Sequence, residues 1–242
     1  MNPIEIYRYD SWCSFKSDII SELFTDGIFQ EGKYLFRGHS SSDWQLTSSY
    51  DRHNFPIDKF SKLIEMFKSE CEWLHVDKTV MNNEKYFIAF SQHHGIPTRL
   101  LDWTYSPYIA SFFAFSDVVL VDESTDKIAV WILNTESGIW THELGVEIIN
   151  IPSVGNLRIR NQNGCFTLSC TQHRTLENYV KNVSEKCSGW ALRQCILPST
   201  EYLKAIPDLN SMGINWSKIY PGIEGCVASS LLNWRCQNLN QG

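Results

Sequence analysis

Apolar residues recur at helical spacing in the first half of the chain and fall in short continuous or alternating runs in the second. From Asp10 to Phe24, Trp12, Phe15, Ile19, Ile20 and Phe24 step by three and four, with Asp10 or Ser11 available as a cap, which predicts an N-terminal helix. Phe60, Leu63, Ile64, Phe67, Cys71 and Leu74 give the same stripe over Asp58 to Trp73. A further helix is expected from Glu84 to His93, stopped by Gly95 and Pro97, and another from Ser106 to Phe115, with Ser as cap and Pro at its first position. Tyr34 to Gly38 is aromatic-rich and reads as a short strand, and Thr98 to Trp103 as a brief strand or extended turn. Ile128 to Leu133, Glu147 to Ile149, Cys165 to Leu168 and Leu192 to Leu197 are expected strands, followed by helices at Ser199 to Met212 and Ile223 to Asn233. Helices first and strands later, without strict alternation, predict an α+β fold.

Composition narrows the class. The 242 residues are 43% hydrophobic, 20% charged and 13% aromatic, which is the make-up of a globular chain long enough to bury a sizeable core. A formal net charge of -6 argues against a surface built mainly to neutralise phosphates, although a local basic groove survives such an average. There is no apolar run of bilayer-spanning length and no signal-peptide pattern at the start, so a cytoplasmic location without a membrane partner is expected. None of the eight cysteines stands in a Cys-x-x-Cys pair, and they are expected to be reduced, buried thiols. His93 and His94 are adjacent, which sends their side chains in different directions, and no metal site is expected.

Chemistry-bearing residues concentrate in two segments. Gln92 to Thr104 holds two imidazoles, a guanidinium, a carboxylate, an amide and two hydroxyls in thirteen positions around the turn residues Gly95 and Pro97. A rigid turn of this kind suits a site. An Arg99 to Asp102 ion pair with a capping role for Thr104 or Ser106 is the purely structural alternative. Arg37, at a strand end beside Gly38, can offer a planar fork to a phosphate or carboxylate, and the glycine would let a ligand approach the backbone; a salt bridge to Asp43 or Asp51 is the alternative there. His53, His75 and His142 lack acidic or nucleophilic neighbours, and there is no Gly-x-Ser-x-Gly elbow, Walker loop or Gly-x-Gly-x-x-Gly.

At these residues the chain resembles the FRG domain family, through Phe36-Arg37-Gly38 and through Gln92-His93-His94-Gly95-Ile96-Pro97-Thr98-Arg99-Leu100-Leu101-Asp102-Trp103-Thr104 with the Ser-Pro helix that follows. A third element of the family is matched by Gln162-Asn163-Gly164-Cys165-Phe166-Thr167, with Arg158 or Arg160 as its arginine. The resemblance covers about residues 34–225 and implies a single domain over 1–242. The order of elements is also similar to that of ADP-ribosyltransferases, which implies helices packed on a mixed, mostly antiparallel split sheet.

That similarity places Arg37, then Thr104 or Tyr105, then Gln162 in the roles of pyrophosphate or ribose holder, nicotinamide pin and ribose- or acceptor-orienting group. NAD would be a co-substrate, with Arg37, Gly38, His39, Gln92, Arg99 and Tyr105 as the nucleotide-binding set. A Glu-x-Glu pair is missing and a neutral Gln162 cannot act as a base; Asp102 or Glu177 are the acidic alternatives, and His93 is a candidate for proton transfer. The expected activity is therefore ADP-ribosyl transfer to a protein or nucleic-acid acceptor, in a toxin or phage-defence setting. A non-catalytic nucleotide or anion clamp built on Arg37, Arg99 and His93 stays open beside it, as does a metal-dependent nuclease using the histidines and Asp102.

Overall fold

The computed structural model describes residues 2–121, 125–151 and 164–238. Its strands, in chain order, are β1 (Ile4–Arg8), β2 (Phe24–Thr25), β3 (Ile28–Phe29), β4 (Tyr34–His39), β5 (Leu100–Thr104), β6 (Lys127–Asn134), β7 (Val146–Ile149), β8 (Gly164–Ser169) and β9 (Leu192–Pro198). Seven form one sheet in the order β1-β9-β6-β4-β5-β8-β7, while β2 and β3 make a separate hairpin. Among the described strands only β1 and β9 run parallel; every other neighbouring pair in the seven-stranded sheet is antiparallel. The α+β expectation is met, with a mostly antiparallel sheet.

The described helices are α1 (Trp12–Glu22), α2 (Ser49–Arg52), α3 (Phe60–Glu70), α4 (Lys78–Asn82), α5 (Glu84–His93), α6 (Pro107–Leu120), α7 (Leu176–Asn182), α8 (Tyr202–Ser211), α9 (Trp216–Ile219) and α10 (Ile223–Asn238). Side-chain oxygens cap several of them: Ser11 accepts from the Ser14 N–H at the start of α1, and Ser106 from Ile109 at the start of α6. Each such cap satisfies a backbone donor that the helix itself cannot pair.

Alternation along the strands divides the interior into separate cores. Phe36, Ile128, Val130, Ile132, Cys195 and Leu197 face one way and pack against α1, α6 and α8. Leu35, Ala129, Trp131 and Leu133 face the other way and meet Leu101, Trp103 and α7. Beyond β5, a third cluster joins Leu100, Phe166, Leu168 and Ile149 to α3 and α5.

Helix α6 lies directly on the backbone of β4. A Cβ on Gly38 would fall 2.0 Å from the Ala110 carbonyl oxygen and 2.8 Å from the Ala114 nitrogen, so only glycine lets the helix seat. This corrects the expectation that Gly38 leaves space for a ligand: the space beside its Cα is filled by α6.

The structure departs from the hydrophobic pattern in a few places. The strand expected over Thr98 to Trp103 is shifted to Leu100–Thr104, because Thr98 and Arg99 are engaged by α2 and the loop after β8. Strand β1 is an exposed edge with no clean apolar face, and it is held by Arg193, whose guanidinium pairs with Glu5 at 2.8 Å and with Glu22 and lies 4.3 Å from the ring centres of Tyr7 and Trp190. All eight cysteines are free, but Cys13, Cys170 and Cys226 are exposed, contrary to the expectation of uniformly buried thiols.

Candidate functional site

The sheet comes apart between β4 and β5. Their register is the single pair Phe36–Thr104, whereas β4 pairs with β6 through six residues and β5 with β8 through five. Arg37, next along β4, spans the gap with its side chain: Nη1 donates to the Asp102 carbonyl at 2.8 Å and lies 3.6 Å from Asp102 Oδ2. A guanidinium thus stands where ladder hydrogen bonds end.

Three cavities have Arg37 in their walls. One, of about 290 Å³, is lined by Ser49, Arg52, His53, Gln92, the Gly95–Pro97 turn and Asp102. A second, of about 270 Å³, is lined by Gly38, Trp103, Thr104, Phe113, Asp117 and Tyr220. The third and largest, of about 740 Å³, is lined by His39, Asp43, Trp44, Gln45, Arg52 and Asp117. Its size falls in the range of small-molecule sites.

The Gln92–Thr104 run folds into a brace for this junction. Gln92 Nε2 donates to Asp102 Oδ1 at 2.8 Å, and Gln92 Oε1 accepts from the Thr98 hydroxyl. Gly95, at φ +90°, makes the turn that brings Thr98 back beneath Gln92. The Thr98 N–H donates to Ser49 Oγ at 3.1 Å, tying in α2. Asp102 is therefore fixed by Gln92 on one side and faces Arg37 on the other.

Arg99 points elsewhere. It is 2% exposed, and it donates to Asp51 Oδ2 at 3.2 Å and to the carbonyls of Thr171 and His173 at 2.6 and 2.8 Å. It does not pair with Asp102, because residues three apart on extended backbone project to opposite sides. Its committed hydrogen bonds make it a tie between α2 and the loop after β8, and it lines none of the three cavities.

The environment sets the protonation of the groups around Arg37. Burial lowers the Arg37 guanidinium from its ordinary value and the Asp102 charge opposes this, leaving it a cation with donors only. His39 is pulled down to about 3 by burial and by Arg37, so it is neutral. Its Nε2 accepts from Arg37 Nε at 3.2 Å, which puts the ring proton on Nδ1, toward the backbone of Trp44 but without a well-formed hydrogen bond. Asp117 is pushed up to about 6 by burial, with Arg37 opposing. A carboxyl group that titrates near neutrality beside a fixed cation is suited to proton transfer.

Of the residues expected at the site, Arg37, Gly38, His39, Gln92, Asp102 and Thr104 are brought together around these cavities. Thr104 is buried and accepts from the Ser106 N–H at 3.1 Å. Tyr105 lines none of the cavities, and its hydroxyl donates to Asn150 at 2.9 Å. His93 sits in the exposed last turn of α5 with its ring centre 5.1 Å from that of His94. Glu177 is buried at the start of α7, where it accepts from the Leu46 N–H at 3.0 Å. Gln162, Arg158 and Arg160 lie outside the described residues. Asp117, Arg52 and Trp44 were not anticipated. The signal for Asp117 was present: it is the one charged residue in the apolar helix α6.

An α+β chain with a polar cleft at a break in its sheet is the class that these features define. The FRG domain model matches residues 32–122. The matched segment contains β4, the Gln92–Thr104 brace, α6 and so every residue named above as lining the Arg37 cavities except Tyr220. No curated protein and no solved structure matches the chain. Among the described residues, no helix is long and apolar enough to cross a membrane.

Proposed function

We propose that the protein is an NAD-consuming ADP-ribosyltransferase with a protein or nucleic-acid acceptor. The observation that carries this is the position of Arg37, shared by three cavities and flanked by the carboxylates of Asp102 and Asp117. Arg37 would bind the pyrophosphate. The second cavity, walled by Trp103, Thr104, Phe113 and Tyr220, would receive the nicotinamide ribose. In the transfer the C1′–N bond breaks, its electron pair leaves with neutral nicotinamide, and an acceptor nucleophile bonds to C1′. The acceptor's proton goes to the Asp117 carboxylate and then to water. Asp117 takes the place of the glutamate that the sequence lacks, and its charge would also favour the cationic sugar of the transition state. A toxin or phage-defence effector is the setting such chemistry would serve.

The test uses NAD labelled in its adenylate half, incubated with the protein and with separated protein and nucleic-acid fractions of a lysate. Free nicotinamide and a labelled macromolecule are expected. Asp117→Asn should reduce both by about 100-fold or more, the typical worth of a positioned acid or base, and Arg37→Ala should abolish them. Intact NAD in every fraction would overturn the proposal, and saturable nucleotide binding without turnover would favour the clamp.

A further inference from the structure

We infer that the 740 Å³ cavity is a nucleotide subsite in which the indole of Trp44 stacks the base while Arg52 and Arg37 hold the phosphate. Identification of the base as the adenine of NAD rests on the proposed function; the subsite itself rests on the cavity.

Trp44 is 47% exposed, and unlike the more exposed Trp73 and Trp234 it lies in the wall of this cavity. It is not on a loose loop. Ser40, Ser41 and Leu46 on either side are buried, the Ser42 N–H donates to the Lys127 carbonyl at 2.9 Å, and the Ser42 carbonyl accepts from Gln194 Nε2 at 2.6 Å. Downstream, Leu46 N–H is held by Glu177 and Thr47 bridges to Thr175. The chain therefore presents an indole from a segment pinned at both ends, so little ordering entropy is lost when a flat ligand settles on it. Trp44 also meets His39 edge-on, with ring centres 6.1 Å apart, and His39 is bonded to Arg37. A continuous line of contacts thus runs from the stacking surface to the phosphate-binding guanidinium.

The polar lining matches a nucleotide. Arg52 is exposed, is steadied by donation from Nη1 to the Thr47 carbonyl at 2.7 Å, and lines this cavity together with Arg37. Arg37 and Arg52 put two guanidiniums in a wall that also holds the carboxylates of Asp43 and Asp117, and these two forks are the groups that would hold a phosphate. Asp43 and Gln45 flank the indole in the lining and offer an acceptor and an amide to the base edge.

The probes are AMP and ribose 5-phosphate, which share a phosphate and differ in the base, measured by equilibrium binding to the full chain. The protein should bind AMP at least about tenfold more tightly, as expected for one stacked base. Trp44→Ala should erase that preference and leave ribose 5-phosphate binding unchanged, Trp44→Phe should restore most of it, and Arg52→Ala should weaken both probes alike. Equal affinities for the two probes, no binding of either, or a base preference that survives Trp44→Ala would overturn the subsite. Nicotinamide release is read separately: a base preference without NAD turnover leaves the subsite standing and overturns the transferase.

Discussion

His39 and Asp117 flank Arg37 and titrate in opposite senses, so the pH dependence of stability can separate them. A folded-state value of about 3 for His39 lies below its ordinary 6.5, so the unfolded chain takes up a proton that the folded chain refuses. Its contribution is present above pH 6.5 and is lost as pH falls toward 3. Asp117 moves the other way, from 3.8 to about 6, so the folded chain holds the extra proton and stability declines as pH rises through that window. The two slopes oppose each other between about pH 4 and 6. Asp117→Asn should therefore be more stable than the parent at pH 7, by roughly 1–2 kcal/mol after allowance for partial exposure, with the gain vanishing below pH 4. His39→Gln should flatten the acid limb. Denaturant titrations across pH 3–8 report both, and an Asp117→Asn variant less stable than the parent at pH 7 would contradict the assigned burial. If the gain appears together with lost turnover, the carboxylate is a case of stability given up for function.

At the level of elements, the contact between α6 and β4 sets the site, because it fixes both Asp117 and the strand that carries Arg37. Gly38→Ala would drive a methyl group into the Ala110 carbonyl. The expected loss is roughly 3 kcal/mol or more, at the upper end of overpacking effects, since backbone rather than a mobile side chain is struck. Thermal melting of the variant would show a large fall in Tm, and an unchanged Tm would mean that the helix does not rest on the strand. Most of these elements were legible. Helix α5 has the bounds that its spacing and its Gly95–Pro97 stop imply, and β4 and β6 follow their apolar runs to within a residue or two. What the sequence could not convey is destination. Arg99 finds Asp51, forty-eight positions earlier, a pairing that depends on the loop after β8 and on α2 meeting in space. Asp117 was legible as the lone acid of an apolar helix, but its place beside Arg37 was not, and Trp44 was hidden because exposure is a property of the fold. Helix α7 was missed for another reason: at seven residues it is too short to establish a period.

For the whole molecule, the break between β4 and β5 divides the sheet into two unequal parts. The part containing β1, β9, β6 and β4 is backed by α1, α6 and α8, and the part containing β5, β8 and β7 by α3 and α5. At this line the hydrogen-bonded connections are one backbone pair and the Arg37 side chain, while the cluster of Leu35, Ala129, Trp131 and Leu133 with Leu101 and Trp103 packs across it. Amides of β4 and β5 that face the break should exchange with solvent faster than those in the β6–β9 ladder, and AMP should slow them; equal protection on both sides would show that the sheet is continuous in practice. Arg37 is thus a rivet between two plates. A molecule that engages it should therefore alter how freely the plates flex, so that occupancy of the cleft would be registered as stiffness of the protein itself.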